Sequence, residues 1–251
     1  MILHADIPRG AGAARVAIVT GASRGLGLVV ARLLAAEGFA LVVDARGAGA
    51  LHEAAAGLRA AGATVEALPG DVRDTTHRAA LVRAARGLGG LDLLVNNASD
   101  LGPTPLPPLS GLDLGAFEDV LRANVVAPLA LVQEALPLLK ERRGLVVNVT
   151  SDAARGGYPG WGAYGAGKAA LELVSLTLAN ELRADGVAAV VVDPGDLRTK
   201  MHQDAFPGED ISDRPIPQVT VPFWAWLLGR TPAEVSGGRF RAQAEAWEVP
   251  A

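Results

Sequence analysis

Short apolar runs alternate with Ala-rich amphipathic stretches along most of the chain. Each run is almost continuously Val, Leu, Ile or Ala, which is typical of strands buried on both faces of a parallel sheet. The predicted strands are residues 14–20, 39–45, 63–69, 91–97, 144–151 and 187–195, with a seventh candidate at 239–243. The stretches between them predict helices near 24–36, 48–61, 75–88, 113–140 and 161–184. This alternation predicts an α/β fold, a doubly wound parallel sheet with helices on both faces.

The domain organisation follows from the same pattern. No linker-like segment divides the chain, so the sequence predicts one domain over residues 14–251 after a short mobile extension at 1–13. Two segments interrupt the alternation: residues 98–110 are Pro-rich, and residues 196–222 contain four prolines. Both follow predicted strands, and open α/β sheets bind ligands outside the carboxyl ends of their strands. We therefore expect these two segments to line a substrate site.

Composition excludes several classes of function. The chain has 251 residues, a formal net charge of -4 and no basic stripe, so nucleic acid is not an expected partner. It has no cysteine, and its four His residues are not spaced as a helical metal pair, so we expect no metal site, with a site formed by carboxylates as the alternative. No apolar run approaches the roughly 18 residues of a membrane span, and no secretory apolar stretch is evident. The expected location is therefore cytoplasmic.

A glycine-rich turn, Thr-Gly-Ala-Ser-Arg-Gly-Leu-Gly, follows the first predicted strand. Glycine allows a tight turn and lets the backbone approach a pyrophosphate, and the helix N-terminus that follows presents free N–H groups to the anion. The alternative is a turn that holds no ligand. The residues expected to bind a dinucleotide here are Gly21, Ser23, Arg24, Gly25, Leu26 and Gly27.

The end of the second predicted strand bears on which dinucleotide is bound. An acidic residue there binds a ribose 2′-hydroxyl, whereas a basic one accepts a 2′-phosphate. The chain offers both, in Asp44 and Arg46, and the alternation of side chains along a strand points them the same way. Arg24 adds a second cation, and two cations favour a phosphate, hence NADP(H). The alternative is that Arg46 is a solvated turn residue.

A tyrosine and a lysine four residues apart, Tyr164 and Lys168, predict acid–base chemistry. This spacing places both on one face of a helix, where an ammonium group would lower the tyrosine pKa from near 10 towards neutral. Ser151 ends the fifth predicted strand, where its hydroxyl would donate a hydrogen bond to a substrate carbonyl oxygen. A chance Tyr/Lys pair on a packed helix is the alternative.

Asn124 lies four residues before Pro128 in the long fourth predicted helix. Because proline has no N–H and its ring clashes with the carbonyl four residues earlier, we expect the main-chain carbonyl of Asn124 to be free in a kinked helix. A free buried carbonyl needs a partner, and water is the simplest one. The alternative is a kink that only fits the helix to its neighbours.

These motifs, with Asn96-Asn97-Ala98 after the fourth strand and Asp193-Pro194-Gly195 after the sixth, resemble the short-chain dehydrogenase/reductases over residues 14 to 243. The resemblance implies a Rossmann-like sheet of seven strands in the order 3-2-1-4-5-6-7. It also implies that Tyr164 is the general acid/base, that Lys168 lowers its pKa and binds the nicotinamide ribose, and that Ser151 polarises the substrate. Asn124 would hold a water of a proton relay.

The resemblance extends to the cofactor. Relatives with a basic residue at Arg46 and a small one at Ala45 usually prefer NADP(H), so Asp44 is discounted. Ser99 stands where glycine is more usual, and the C-terminal end lacks the family's Asp-Gly-Gly. The further residues that the resemblance assigns to cofactor binding are Asp71, Val72, Asn97, Ala98, Pro194, Gly195, Leu197 and Thr199.

The function predicted from the sequence is NADPH-dependent hydride transfer to a carbonyl group, or the reverse oxidation of a secondary alcohol. The alternatives are a non-catalytic NADP(H)-binding sensor or scaffold, and an isomerase or dehydratase that uses the same Tyr/Lys pair. A homodimer or homotetramer formed through the fourth and fifth helices is expected from the family. Residues expected to give an apolar substrate pocket are Leu101, Leu106, Met201, Phe206, Phe223 and Trp224, with Tyr158 and Trp161 as further candidates.

Overall fold

A single parallel sheet organises the chain. The computed structural model describes residues 14–250, so the extension expected at 1–13 lies outside the described residues. The strand order is β3-β2-β1-β4-β5-β6-β7, as the resemblance implied, and every neighbouring pair is parallel. The strands are β1 (Arg15–Val19), β2 (Phe39–Ala45), β3 (Val65–Pro69), β4 (Leu93–Asn96), β5 (Leu145–Val149), β6 (Ala188–Asp193) and β7 (Arg239–Arg241).

Helices connect these strands on both faces of the sheet. The helices are α1 (Gly25–Ala36), α2 (Ala48–Ala60), α3 (Thr75–Gly87), α4 (Leu114–Leu121), α5 (Ala127–Arg142), α6 (Ala153–Gly156), α7 (Gly162–Glu181), α8 (Lys200–Ala205), α9 (Val221–Leu228) and α10 (Pro232–Val235). Short 3₁₀ turns lie at Leu109–Gly111, Arg183–Asp185 and Pro217–Thr220. Among residues 14–250, no helix is long and apolar enough to cross a membrane.

The sheet is covered by two separate apolar layers. Ala17 and Val19 of β1 belong to one layer with α1, α2 and α9, whereas Val16 and Ile18 belong to the other with α3, α5 and α7. Alternate residues of a strand point to opposite faces, so this division follows from the continuous apolar runs. At the edge of the sheet, β3 buries only Val65, so the expectation of burial on both faces is wrong for this strand.

The predicted fourth helix is divided in the structure. A π-helical turn, Arg122–Val126, joins α4 to α5 and contains Asn124. The turn ends two residues before Pro128, which has no N–H for the α-helical hydrogen bond to the carbonyl of Asn124. Such π turns recur at functional sites, and this one replaces the simple kink that we expected.

The two interrupting segments lie after β4 and β6, as expected. The segment 196–222 is partly helical, because it contains α8 and the 3₁₀ turn at Pro217–Thr220 and runs into α9. Thr199 caps α8, since its hydroxyl accepts a hydrogen bond of 3.2 Å from the N–H of His202. Leu101 of the first segment packs with Ala205 of the second, so the two segments meet across the carboxyl edge of the sheet.

Candidate active site

A cleft of about 930 Å³ opens at the carboxyl edge of the sheet. Every residue that the sequence assigned to the cofactor lines it, as do Ser151, Tyr164 and Lys168. Asn124 is not among the lining residues and is completely buried behind them. The structure thus brings together side chains from the ends of six strands, whereas the sequence only predicted that they share one edge.

The glycine-rich turn has no room for side chains at its tightest point. Gly21 has a φ of +66°, and a Cβ at Gly27 would lie 2.5 Å from both the Asn97 Nδ2 atom and the Gly21 carbonyl oxygen. Asn97 holds the turn by donating from Nδ2 to the carbonyl of Thr20 at 2.8 Å. Its side chain therefore supports the turn, a role that no sequence motif indicates.

Asp44 is buried beneath the same turn. Its carboxylate accepts a 2.8 Å hydrogen bond from the N–H of Gly21, and its other oxygen lies 3.0 Å from Nε2 of His77. Burial raises the pKa of Asp44, although these two contacts oppose the rise. A carboxylate engaged in this way supports the turn, in agreement with discounting it as a ribose ligand.

Arginines surround the end of the cleft next to β2 and β3. Arg24 and Arg46 are exposed there, and Nη1 of Arg46 lies 3.5 Å from the carboxylate of Asp100. Arg73 also lines the cleft and donates to Asp71 at 2.7 Å, and the resulting hydrogen bonds lower the pKa of that carboxyl group. Arg73 and Asp100 were missed from the sequence because neither belongs to a motif.

Tyr164 lies in the first turn of α7, with its ring buried in the cleft wall. Burial raises the pKa of the Tyr164 phenol to about 12, although the neighbouring hydroxyls of Ser99 and Ser151 oppose the rise. The Ser151 hydroxyl also donates to Asp152 at 3.0 Å. Three hydroxyl groups thus meet at the deep end of the cleft, and Ser99 contributes one where the family more usually has glycine.

Lys168 lies one helical turn after Tyr164 and is also buried. Its Nζ atom donates a 2.7 Å hydrogen bond to the carbonyl of Val149 at the end of β5 and lies 5.3 Å from the Tyr164 ring centroid. Burial lowers the pKa of the Lys168 ammonium group to about 7. The net pKa of the Tyr164 phenol is therefore raised and not lowered towards neutral, because desolvation is the largest influence on both groups. The stabilisation of the phenolate by this lysine stays a prediction.

The Asn124 side chain fixes the segment that carries Ser99. Its Oδ1 atom accepts from the Ser99 hydroxyl at 3.1 Å and from the Asp100 N–H at 2.8 Å, and its Nδ2 atom donates to the Asp100 carbonyl at 2.8 Å. Gly167 lets α7 approach the π turn, since a Cβ there would lie 3.2 Å from the Cβ of Asn124. The water-binding role of the Asn124 carbonyl stays a prediction.

An ion-pair network lies behind Ser151 and was not predicted. Glu172 of α7 accepts hydrogen bonds from Thr150 at 2.8 Å and from Arg239 of β7 at 2.9 Å. Arg239 also reaches Asp193 of β6 at 3.3 Å. The network joins the elements on which the catalytic candidates stand, and so it fixes their relative positions.

The rest of the deep wall is apolar. The Trp161 ring packs edge-on against Tyr164 with centroids 5.6 Å apart, and it lies 5.9 Å from Phe206. Leu101, Leu106 and Met201 belong to the same cluster, as expected for an apolar pocket. The prediction is wrong for Phe223 and Trp224, because both are buried in the core layer between α9 and the sheet.

Within residues 14–250 there is no group of three His, Asp or Glu side chains that could hold a metal ion. The expectation that the protein has no metal site stays a prediction.

Comparison with known proteins agrees with this architecture. The sequence model of the short chain dehydrogenase family matches residues 15–210. The chain is 34% identical over 184 residues to ketoacyl reductase HetN of Nostoc sp., a match that covers 72% of this chain and 63% of that protein. It is 32% identical over 234 residues to the uncharacterized oxidoreductase YciK of Escherichia coli, covering 91% of this chain and 92% of that protein.

The solved structures lead to the same family. A Shigella flexneri protein crystallised in complex with NADP superimposes with a TM-score of 0.85 at 30% identity, covering 92% of this chain and 98% of that one. The sheet order, the glycine turn and the Ser/Tyr/Lys arrangement described above are thus accompanied by similarity along almost the whole chain. The chain belongs to the short-chain dehydrogenase family.

Proposed function

We propose that this protein is an NADP(H)-dependent oxidoreductase that transfers hydride between the nicotinamide and a carbonyl or secondary alcohol, with Tyr164 as general acid/base. The observation that carries the proposal is the meeting of the Tyr164, Ser151 and Ser99 hydroxyls at the deep end of the cleft whose other end is the glycine turn. Relatives named as a ketoacyl reductase and as an oxidoreductase support this reaction class.

The residues of the cleft fit a dinucleotide. Helix α1 has no side-chain cap at Arg24 and no acidic residue in its first turn, so its N-terminal N–H groups are available to a pyrophosphate. Because a Cβ at Gly27 would clash with its neighbours, this position carries no side chain, and the backbone of the turn can face that anion. Arg24 and Arg46 supply exposed cations for a 2′-phosphate, and the NADP-bound Shigella relative supports that choice.

The protein side chains handle the proton. Because its pKa is about 12, Tyr164 is protonated at neutral pH and is ready to act as an acid during reduction. The Ser151 hydroxyl turns from Asp152 to donate to the carbonyl oxygen as negative charge develops there, and Tyr164 then protonates that oxygen. The bound cofactor supplies or accepts the hydride. Lys168 is half-protonated near pH 7, and its ammonium form stabilises the phenolate that remains.

The apolar wall of the cleft supports a proposal for the substrate class. Trp161, which packs against Tyr164, and Phe206, which packs against Trp161, line the cleft, and Met201 adds an adaptable thioether. This lining favours a ketone that carries an apolar or aromatic substituent, because burying such a group against it removes apolar area from water. A small hydrophilic ketone gains little from the same wall.

A thermal unfolding experiment tests the cofactor assignment. At about 100 times its dissociation constant, NADPH stabilises the fold by roughly 2.7 kcal/mol, which raises Tm by about 5 to 10 °C for a chain of this size. We expect a smaller shift with NADH at the same concentration. An equal or larger shift with NADH would contradict the NADP(H) assignment.

Turnover on a ketone panel separates the proposal from its alternatives. We expect NADPH to be consumed, with kcat/KM higher for aryl and long-chain alkyl ketones than for acetone. Tight NADPH binding without turnover on any carbonyl would instead identify a sensor or scaffold. Conversion of substrate without net NADPH consumption would identify an isomerase or dehydratase.

A further inference from the structure

The guanidinium group proposed to bind the 2′-phosphate already has a carboxylate beside it. Nη1 of Arg46 lies 3.5 Å from Oδ2 of Asp100, although the two residues come from different loops, after β2 and after β4. Both side chains line the cleft. The charge of Asp100 also reaches Arg73, whose pKa is raised mainly by its hydrogen bond to Asp71 and further by Asp100.

Three hydrogen bonds hold Asp100 in this position, two of them to its backbone and one to its carboxylate. Asn124 binds both the N–H and the carbonyl of Asp100, at 2.8 Å each. The Oδ1 atom of the Asp100 carboxylate accepts a 3.0 Å hydrogen bond from the N–H of Gly102. The side chain is only 25% exposed, whereas the Arg46 side chain is 65% exposed. The guanidinium is therefore the partner that is free to move, and the carboxylate stays in place when an anion arrives.

We propose that Asp100 is a specificity-determining residue, whose carboxylate competes with the 2′-phosphate of NADP(H) for the Arg46 guanidinium. The inference rests on the proposed function, in which Arg46 receives that phosphate. A fixed negative charge beside the site repels the phosphate and forms the ion pair that binding must break. NADH has no 2′-phosphate, so Asp100 limits the preference for NADPH over NADH without affecting NADH itself.

The test is the substitution Asp100→Asn, with cofactor affinity measured directly by calorimetric titration of the full chain. Asparagine keeps an oxygen acceptor for the Gly102 N–H and removes only the charge. Because exposed ion pairs contribute modestly, we expect the NADPH dissociation constant to fall about two- to fivefold at low salt, with the NADH constant unchanged. The gain should disappear at about 0.5 M salt, where screening is strong.

A matched control and a double variant isolate the pair. The control Glu181→Gln also removes one negative charge, but Glu181 ends α7 about 25 Å along the helix from Tyr164. It should leave the NADPH and NADH dissociation constants unchanged. In the Arg46→Ala background, Asp100→Asn should give a smaller gain, since the competition is gone. An equal gain in both backgrounds would overturn the competition for Arg46.

Two other outcomes separate a failure of the Asp100 inference from a failure of the proposed cofactor assignment. If Arg46→Ala weakens NADPH binding but Asp100→Asn leaves it unchanged or weakens it, Asp100 does not compete and this inference fails while the cofactor assignment stands. If Arg46→Ala leaves NADPH affinity unchanged, the 2′-phosphate site itself is wrong, and the inference falls with the proposed function.

Discussion

Replacing Lys168 by methionine tests the cost of a buried ammonium group in the site. The side chain is almost fully buried, and burial lowers its pKa from 10.5 to about 7. Between these two values the unfolded chain binds more protons at this residue than the folded chain does, so stability rises with pH in that window. Below pH 7 both states are protonated and the folded protein bears the full desolvation cost.

The magnitude follows from the size of the pKa difference. The slope in the window approaches 1.36 kcal/mol per pH unit, so from pH 7 to pH 9 the wild type should gain about 2 kcal/mol that Lys168→Met lacks. The variant also loses the hydrogen bond to the Val149 carbonyl, which costs roughly 1 to 3 kcal/mol at every pH. The change with pH, and not the absolute stability, is therefore the decisive quantity.

Urea unfolding at pH 7, 8 and 9, at one protein concentration, measures this change. Tyr164 does not interfere, because a pKa raised to about 12 affects stability only above its ordinary value of 10.0. Lys140→Met is the control, since that lysine is exposed at the end of α5. Parallel stability–pH curves for wild type and Lys168→Met would refute the reasoning.

Three further substitutions test separate parts of the site. Ser99→Gly removes one of the hydroxyl contacts that lower the pKa of Tyr164, so the pH profile of alcohol oxidation should move to higher pH, and Ser99→Thr should restore it. Asn124→Ala leaves the backbone of the 99–100 segment without its side-chain partners, so urea unfolding should show a loss of about 2 to 4 kcal/mol. Gly27→Ala forces a Cβ against the Asn97 amide, so calorimetric titration should show NADPH binding at least about tenfold weaker, with a stability loss of roughly 1 to 3 kcal/mol. An unchanged pH profile would contradict the role of Ser99, an unchanged stability that of Asn124, and an unchanged NADPH affinity that of Gly27.

The alternation of continuous apolar runs with amphipathic stretches made the fold predictable from the sequence. The apolar run at 39–45 coincides with β2, because a central parallel strand is buried along its whole length. The run at 63–69 predicted β3 but not its exposure, since an edge position depends on the arrangement of the other strands. Pro128 indicated a disturbed helix, but the π turn that accommodates it depends on packing against Gly167.

The site was predictable only where a local motif encoded it. Tyr164 and Lys168 share a helix face because of their spacing, so their proximity follows from helix geometry. Their pKa values did not follow, because burial is a property of the assembled cleft. The Arg46–Asp100 pair joins residues 54 positions apart, and no sequence spacing indicates such a contact.

The proposed role of Tyr164 as the proton donor in carbonyl reduction is tested most directly with the variant Tyr164→Phe. NADPH turnover with an aryl ketone is compared between wild type and variant, and NADPH affinity is measured in parallel by calorimetry. We predict that turnover falls about 10²- to 10⁴-fold while the NADPH dissociation constant stays close to that of the wild type. Turnover equal to the wild type in a variant that binds NADPH normally would contradict the assignment of Tyr164 as the acid.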